Sequence, residues 1–457
     1  MSYTIQNAPL SWRHIKVVAI ASLGQLIGTC LATIVSVIIP LYQIVAHPEL
    51  SSAMQGLVGA MDLIGIMVGS TIIGKLSDKY GYLLFFRLCP LLICASSIIS
   101  LLFPSLTVLI ICLFMMGFGI GGEYSLDSDY ISVLMPSKWE FTMVGVAKAA
   151  SALGNIIAAG VCFLIVKDWQ SADLWPRLMW IMVAISGLMI IVRIRFWQSP
   201  AWLMANGKPK EAEIAVHDFL GDDVNIEPTQ KMKPAAAKLS DNISTWIFIK
   251  QNWKKVIFTG IPWACEGLGV YGIGVFLPIL VMALGLEHVS GHETQLAHVA
   301  SSVEITLWIS CIILPGFIIG LFLIPKMNGA MQQTMGFFFS GISLLILLLA
   351  YNNHWSSWIS ILAFMAFELF LNLGPHLMTY VLPSKVYPVE IRGLGSGIAA
   401  SIGKMGAVLG VFFIPVLLKG GGSSLVLIVS IIVMMVGALV TYVFAPKINN
   451  SSFKSKS

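Results

Sequence analysis

The chain has 457 residues, of which 57% are hydrophobic and only 11% charged, with a mean hydropathy of +0.87. Soluble domains carry charge on about a quarter of their residues, so this composition excludes one and points to an all-α polytopic membrane protein. The net charge of +5 is spread over many short segments and calls for no nucleic-acid partner.

Twelve apolar runs long enough to cross a bilayer lie near 17–45, 54–77, 82–102, 106–131, 142–166, 174–196, 256–285, 300–324, 331–351, 357–382, 393–418 and 423–446. The boundaries around Pro136 and Pro278 are the least defined. Arg13 and Lys16 precede a first run too long for a signal peptide, with no small-residue cleavage site after it, so this span is expected to stay in the protein. With both ends cytoplasmic, the inner segments collect Arg13, Lys16, Lys75, Lys79, Arg87, Lys138, Arg193, Arg195, Lys326, Lys385, Arg392, Lys447, Lys454 and Lys456. Only Lys167, Arg177 and Lys419 then fall outside, which fixes the expected orientation.

Between the second and third runs, Gly74-Lys75-Leu76-Ser77-Asp78-Lys79-Tyr80-Gly81 reads as a tight ionic loop. The fourth run contains Gly117-Phe118-Gly119-Ile120-Gly121-Gly122-Glu123-Tyr124, then Asp127 and Asp129. Glu123 and Asp127 are four apart and share a helix face, whereas Asp129 points elsewhere. Two acids on one face could trade a proton, because desolvation makes each favour the protonated form of the other. Lys148 lies near the inner end of the fifth run, where snorkelling is the simple expectation. The region 198–255 is the one long polar break, with a helical stretch expected over Lys210 to Leu220 and a linker through Pro228 and Pro234. It divides the chain into an N-terminal bundle (1–197), a cytoplasmic central loop (198–255) and a C-terminal bundle (256–457).

The seventh run reads Trp263-Ala264-Cys265-Glu266-Gly267-Leu268-Gly269-Val270-Tyr271-Gly272. Its glycines would loosen the helix and expose backbone polar groups to a central cavity, giving Glu266 a watery outlet. In the eleventh run Lys404 sits between Gly403 and Gly406, placed to bind an anionic substrate or to neutralise Glu266 or Glu123. Charge inside a bilayer costs several kcal/mol unless paired or wet, so Asp62, Glu123, Asp127, Asp129, Lys148, Glu266, Glu304, Glu368 and Lys404 are the functional candidates by default. Gln25, Asn155 and Asn372 add polar groups for a cavity or for interhelical hydrogen bonds. His288, His292 and His298, with Glu287 and Glu293, read as a solvated outer loop rather than a metal site. The seven cysteines fall within the spans without paired spacing and read as small core residues. No nucleotide-binding Walker loop or nucleophile motif appears, which argues against a primary pump or an enzyme; no cofactor or metal is expected.

The 74–81 loop resembles that between helices 2 and 3 of the major facilitator superfamily. Gln198-Ser199-Pro200-Ala201-Trp202-Leu203, with Asn206-Gly207-Lys208 and Glu211-Ala212 after it, is similar to the box following helix 6 in sugar porters and related metabolite carriers. The glycine run at 117–122, and Gly374-Pro375 with Tyr387-Pro388 and Arg392-Gly393, resemble their fourth and tenth-to-eleventh helices. Met135-Pro136-Ser137-Lys138 is echoed by Leu382-Pro383-Ser384-Lys385 in the second half, as the internal repeat of such folds implies.

The resemblance implies two pseudo-symmetric six-helix bundles and alternating access to a mid-membrane site, with Gly74, Asp78, Lys79, Gly81 and Arg392 in the conformational-switch loops. In proton-coupled sugar porters an Asp in helix 1 and an Arg early in helix 4 form the coupling pair; here Gln25 and Cys30, and Leu113, stand near those places. Val133 and Lys385 occupy loop positions where an acid is usual. Phosphate:proton symporters carry an acid and Tyr on helix 4, a Trp, an Asp and a Tyr on helix 7, and a Lys on helix 11. Here these are echoed by Glu123-Tyr124, Trp263, Glu266 (offset by about one residue), Tyr271 and Lys404.

The expected substrate-binding and coupling set is therefore Glu123, Tyr124, Asp127, Trp263, Glu266, Tyr271 and Lys404. The expected function is secondary active, proton-coupled transport of a small polar metabolite, either a sugar or an organic or inorganic ion. A uniporter is the nearest alternative, and a transporter-like nutrient sensor is disfavoured by the modest central loop. The expected setting is a monomer among membrane lipids in a bacterial inner membrane, with both termini cytoplasmic.

Overall fold

The computed structural model describes residues 3–46, 49–168, 171–221, 224–225, 245–286, 294–387 and 392–445. Helices α1 (Trp12–Ala21) and α2 (Leu23–Val45) form one span that bends at Ser22, whose hydroxyl bonds back to the Val18 carbonyl at 2.6 Å. Helix α3 (Ser52–Tyr80) continues through the segment expected to be a loop, and the chain turns only at Gly81, whose φ of +98° favours glycine. The intervening Lys, Leu, Ser and Asp residues are compatible with a helix, so the apolar pattern ends before the helix does.

Helices α4 (Tyr82–Leu102), α5 (Leu106–Leu134), α6 (Glu140–Lys167) and α7 (Met179–Arg193) follow, the last preceded by a 3₁₀ segment, Ala172–Leu178. In the polar region lie two short helices, α8 (Pro200–Ala205) and α9 (Pro209–Leu220), each with proline in its first turn, where a missing N–H costs nothing. A two-residue parallel pairing joins Tyr3–Thr4 to Val224–Asn225.

Helix α10 (Thr245–Gly267) runs directly into a π-helical turn, Leu268–Ile273, within the glycine-rich stretch, and α11 (Leu277–Ala283) resumes at Pro278. Then come α12 (Gln295–Cys311), α13 (Ile313–Leu323), α14 (Gly329–Asn352), α15 (Ser357–Leu373), α16 (Pro375–Val386) and α17 (Arg392–Phe444). Among the described residues eleven spans are long and apolar enough to cross a membrane. The last, Gly395–Phe444, is 50 residues long and is broken at Gly422, where φ is +66° and ψ −170°. At 1.5 Å per residue that length is about 75 Å, enough for two crossings, which brings the total to the twelve expected.

The span surfaces carry large exposed apolar side chains, among them Leu102, Ile111, Leu164, Phe322 and Leu362. Such a surface is untenable in water and suits lipid. Trp12, Trp180, Trp246, Trp308 and Trp358 are exposed with them, as residues that favour membrane interfaces.

The chain forms two compact units: Met1–Thr29 with Ile64–Gly154 and Met179–Lys238, and Cys30–Leu63 with Asn155–Leu178 and Leu239–Ser457. The first is pinned by a cluster of aromatic rings in tilted and edge-on contact, with Phe196 at 5.0 Å from Phe86 and 4.9 Å from Phe219 between ring centroids. Arg87 donates to the Ile194 and Phe196 carbonyls at 2.7 and 3.1 Å, and Tyr130 to that of Trp197 at 3.1 Å, so the segment after α7 is held down. In the second unit α10 and α17 meet backbone to backbone: a Cβ on Gly267 would lie 2.7 Å from the Gly403 carbonyl oxygen. Small residues are what permit that approach in a bilayer, and it sets Glu266 and Lys404 on neighbouring helices.

Candidate functional site

In the first unit, Glu123 and Asp127 lie one turn apart on α5 and face Arg193, the last residue of α7. Arg193 Nη1 donates to Glu123 Oε2 at 2.5 Å and to the Phe86 carbonyl at 3.1 Å; Nη2 lies 3.6 Å from Asp127 Oδ1 and 3.4 Å from the Ile20 carbonyl. The guanidinium carbon stands 3.6 Å from the centroid of the Phe86 ring. All three charged residues are essentially inaccessible, at 0% for Arg193 and Glu123 and 1% for Asp127. Gly24 of α2 makes this possible: a Cβ there would come within 2.8 Å of Glu123 Cβ and run into the Asp127 carboxylate. Next to them, Lys148 Nζ stands 6.0 Å from the centroid of the Tyr124 ring and is buried, not snorkelled outward.

Arg193 is not the inner-surface charge that the sequence reading made of it. The expected sixth span, 174–196, already contained it, so the rule that flags ionisable groups within spans would have found it. Asp127 lies in the protein interior, on the helix face it shares with Glu123.

In the second unit, Lys404 Nζ donates to the Tyr271 hydroxyl at 3.3 Å and lies 4.5 Å from that ring's centroid. Its charge acts on two carboxylates, Glu266 of α10 and Asp62 of α3. Glu266 and Asp62 are 2% and 1% exposed, whereas Lys404 is only partly buried. Asp62 Oδ1 also accepts the Leu63 N–H at 2.7 Å. The ring of Trp263 lies over Gly403, where a Cβ would stand 2.6 Å from Trp263 Cγ, and makes an edge contact with Tyr380 at 6.4 Å between centroids. Tyr271 itself belongs to the π-helical turn, so the widened helix delivers its hydroxyl to Lys404.

The structure thus brings together Trp263, Glu266, Tyr271 and Lys404 in one unit, and Glu123, Tyr124 and Asp127 in the other. Glu123 has Arg193, not Lys404, as its cation. Asp62 was among the charged candidates without a role, and His376, 3.6 Å from Glu266 through Nε2, was not singled out at all. Of the remaining intramembrane candidates, Glu304 is exposed and Glu368 is buried.

Among the loop positions, Gly81 packs against the Gln198 side chain, whose Oε1 accepts the Leu83 N–H at 2.9 Å, tying the turn to the segment after α7. Gly74 has ordinary space around it, and Lys79 lies 5.1 Å from the centroid of the Tyr80 ring. The side chains of Asp78, Asp129 and Arg392 lie outside the described residues, as do His288 and His292. Burial lowers the pKa of the Lys385 ammonium; it raises that of the Tyr387 hydroxyl, which a 3.1 Å hydrogen bond with Thr259 opposes.

Residues 31–456 match the family model for the sugar (and other) transporter. The chain belongs to that family. Its relatives include the inner membrane metabolite transport protein YgcS of Escherichia coli K12, 24% identical over 97% of this chain and 94% of the relative. A probable inorganic phosphate transporter 1-6 of Arabidopsis thaliana is also 24% identical, over 98% and 94%. Among solved structures, the partially occluded inward open form of the xylose transporter XylE from E. coli superposes with a TM-score of 0.79 at 17% identity, covering 95% of this chain and 98% of XylE. The fold is that of the major facilitator superfamily, and the protein is a multi-pass membrane transporter.

Proposed function

We propose that this transporter moves a small polar metabolite by alternating access in symport with protons. The observation that carries the reading is the charge count of its two clusters, each with one cation whose charge acts on two buried carboxylates. Either cluster holds one negative charge in excess, and uptake of one proton neutralises it before the apolar occluded state forms. In the first unit the proton resides on the Glu123/Asp127 pair, because a guanidinium cannot give one up. This cluster supplies a carboxylate–guanidinium pair in place of the usual one, since Gln25 and Cys30 stand near the place of the first span's acid. In the second unit Lys404, Tyr271 and Glu266 bind the substrate beside the π-helical turn, and Trp263 forms a wall.

The family membership and the metabolite and phosphate transporters among the relatives support a small polar substrate. The basic residues of the inner segments support an orientation with both termini cytoplasmic, and the E. coli relatives support a bacterial inner membrane. We place the switch in the loops at Gly74 to Gly81 and Arg392, between six-helix bundles at 1–197 and 256–457 joined by 198–255.

Purified protein in proteoliposomes loaded with a pH dye, presented with pools of sugars, organic acids, phosphate and organic cations, tests the reading. Substrate-dependent proton entry is expected; solute equilibration without proton movement would establish a uniporter instead.

A further inference from the structure

Glu368, Asn372 and His376 recur at every fourth residue along α15 and α16, across the break at Gly374 and Pro375, and the series ends against Glu266. All four are buried, at 5%, 1%, 5% and 2% exposure in that order. Asn372 Nδ2 donates to the Glu368 backbone carbonyl at 2.8 Å and to Glu368 Oε2 at 3.0 Å. A backbone carbonyl can only accept, so this fixes which way the amide faces and presents Oδ1 to His376. His376 Nδ1 lies 2.8 Å from that oxygen and must therefore carry the ring hydrogen. The basic lone pair is left on Nε2, 3.6 Å from Glu266 Oε1. Phe317 packs beside the imidazole at 5.1 Å between ring centroids.

We infer that His376 is a proton-binding residue of the transport cycle, whose Nε2 exchanges a proton with the Glu266 carboxyl, while Asn372 and Glu368 are positioning residues that set its tautomer. The step balances without another reactant: the Glu266 O–H bond breaks, the His376 Nε2–H bond forms, and a neutral pair becomes imidazolium and carboxylate. An imidazole suits the task because it changes charge near neutral pH. Among the described residues the ionisable groups linked to the pair are Lys404 of α17, whose charge acts on Glu266; Tyr271, to which Lys404 donates; Asp62 of α3, on which its charge also acts; and Glu368 on the helix before the break. Once formed, imidazolium and Lys404 compete for the one Glu266 carboxylate, so proton arrival frees Lys404 for a substrate oxygen.

The inference rests on reading Glu266 as a proton-binding group, but its test needs no substrate and so fails or succeeds independently of a transport assay. Protein with ¹⁵N-labelled histidine rings, in lipid nanodiscs, is titrated from about pH 5 to 8, and the His376 signal is assigned as the one lost in His376→Gln. If that variant does not fold, substituting the other seven histidines in turn assigns the signal by elimination. The neutral ring is expected as the Nδ1–H tautomer, and Glu266→Gln is expected to lower its titration midpoint by about one pH unit or more, since the imidazolium loses its carboxylate. A neutral ring carrying hydrogen on Nε2, or a midpoint unmoved by Glu266→Gln, overturns the assignment.

Discussion

Arg193 lies against two buried carboxylates, Glu123 and Asp127, and the charge of Lys404 acts on two others, Glu266 and Asp62, yet the two cations are held in different ways. The guanidinium donates to Glu123 and to two backbone carbonyls, stands 3.6 Å from Asp127 and lies on the face of Phe86. Lys404 donates to the Tyr271 hydroxyl and is partly accessible. A planar, always-charged fork that is fully buried and anchored through both terminal nitrogens is a fixed part, so any proton at that site must sit on a carboxylate. A point charge on a flexible stem beside a widened helix turn can change partners. On the proposed reading the same charge count serves two purposes, a permanent clamp and an exchangeable site.

Removing the cations tests this difference most severely. Arg193→Ala strands two buried carboxylates and is expected to cost about 3–5 kcal/mol, read as a large loss of thermal stability in detergent or as failure to fold. Lys404→Met is expected to cost clearly less while removing substrate binding; equal losses from the two variants would erase the distinction. Next in size is an effect on transport alone. Glu266→Gln should abolish uphill uptake driven by an imposed pH gradient while leaving substrate exchange, and should fold normally, since Gln keeps the shape and hydrogen-bonding capacity. Unchanged accumulation would remove Glu266 from coupling.

A smaller effect should come from Gly24→Ala, which pushes the Asp127 carboxylate off Arg193 and is expected to cost about 1–3 kcal/mol through overpacking. A thermal-stability scan that finds it neutral would show that the clamp has slack. Gly81→Ala lies outside both clusters, in the turn where the switch is placed. Its positive φ and its contact with Gln198 predict a loss of about 1–2 kcal/mol, read in the same thermal-stability scan.

The spans were legible because each is a local property: about 20 apolar residues match the bilayer thickness wherever they lie in the chain. The runs expected at 82–102 and 331–351 agree closely with α4 and α14. The ionic loop at 74–81 was misjudged because polar residues that end an apolar pattern need not end a helix, and only Gly81 breaks it. Glu266, Tyr271 and Lys404 could be singled out because charge or unusual backbone within an apolar run announces itself in one dimension.

Sequence by itself determined the membrane class, the twelve crossings, the transporter family and the list of charged residues that must find partners. Tertiary structure decided the partners. Arg193 reaches Glu123 across 70 residues of chain, and Asp62 joins Glu266 and Lys404 from a span far earlier in the sequence. His376 became notable only once Asn372 had turned its Nε2 toward Glu266. The physical reason is that the cost of burying a charge is written in residue type. The group that offsets it is chosen by how helices rotate and how closely their glycines let them approach, which no spacing along the chain encodes.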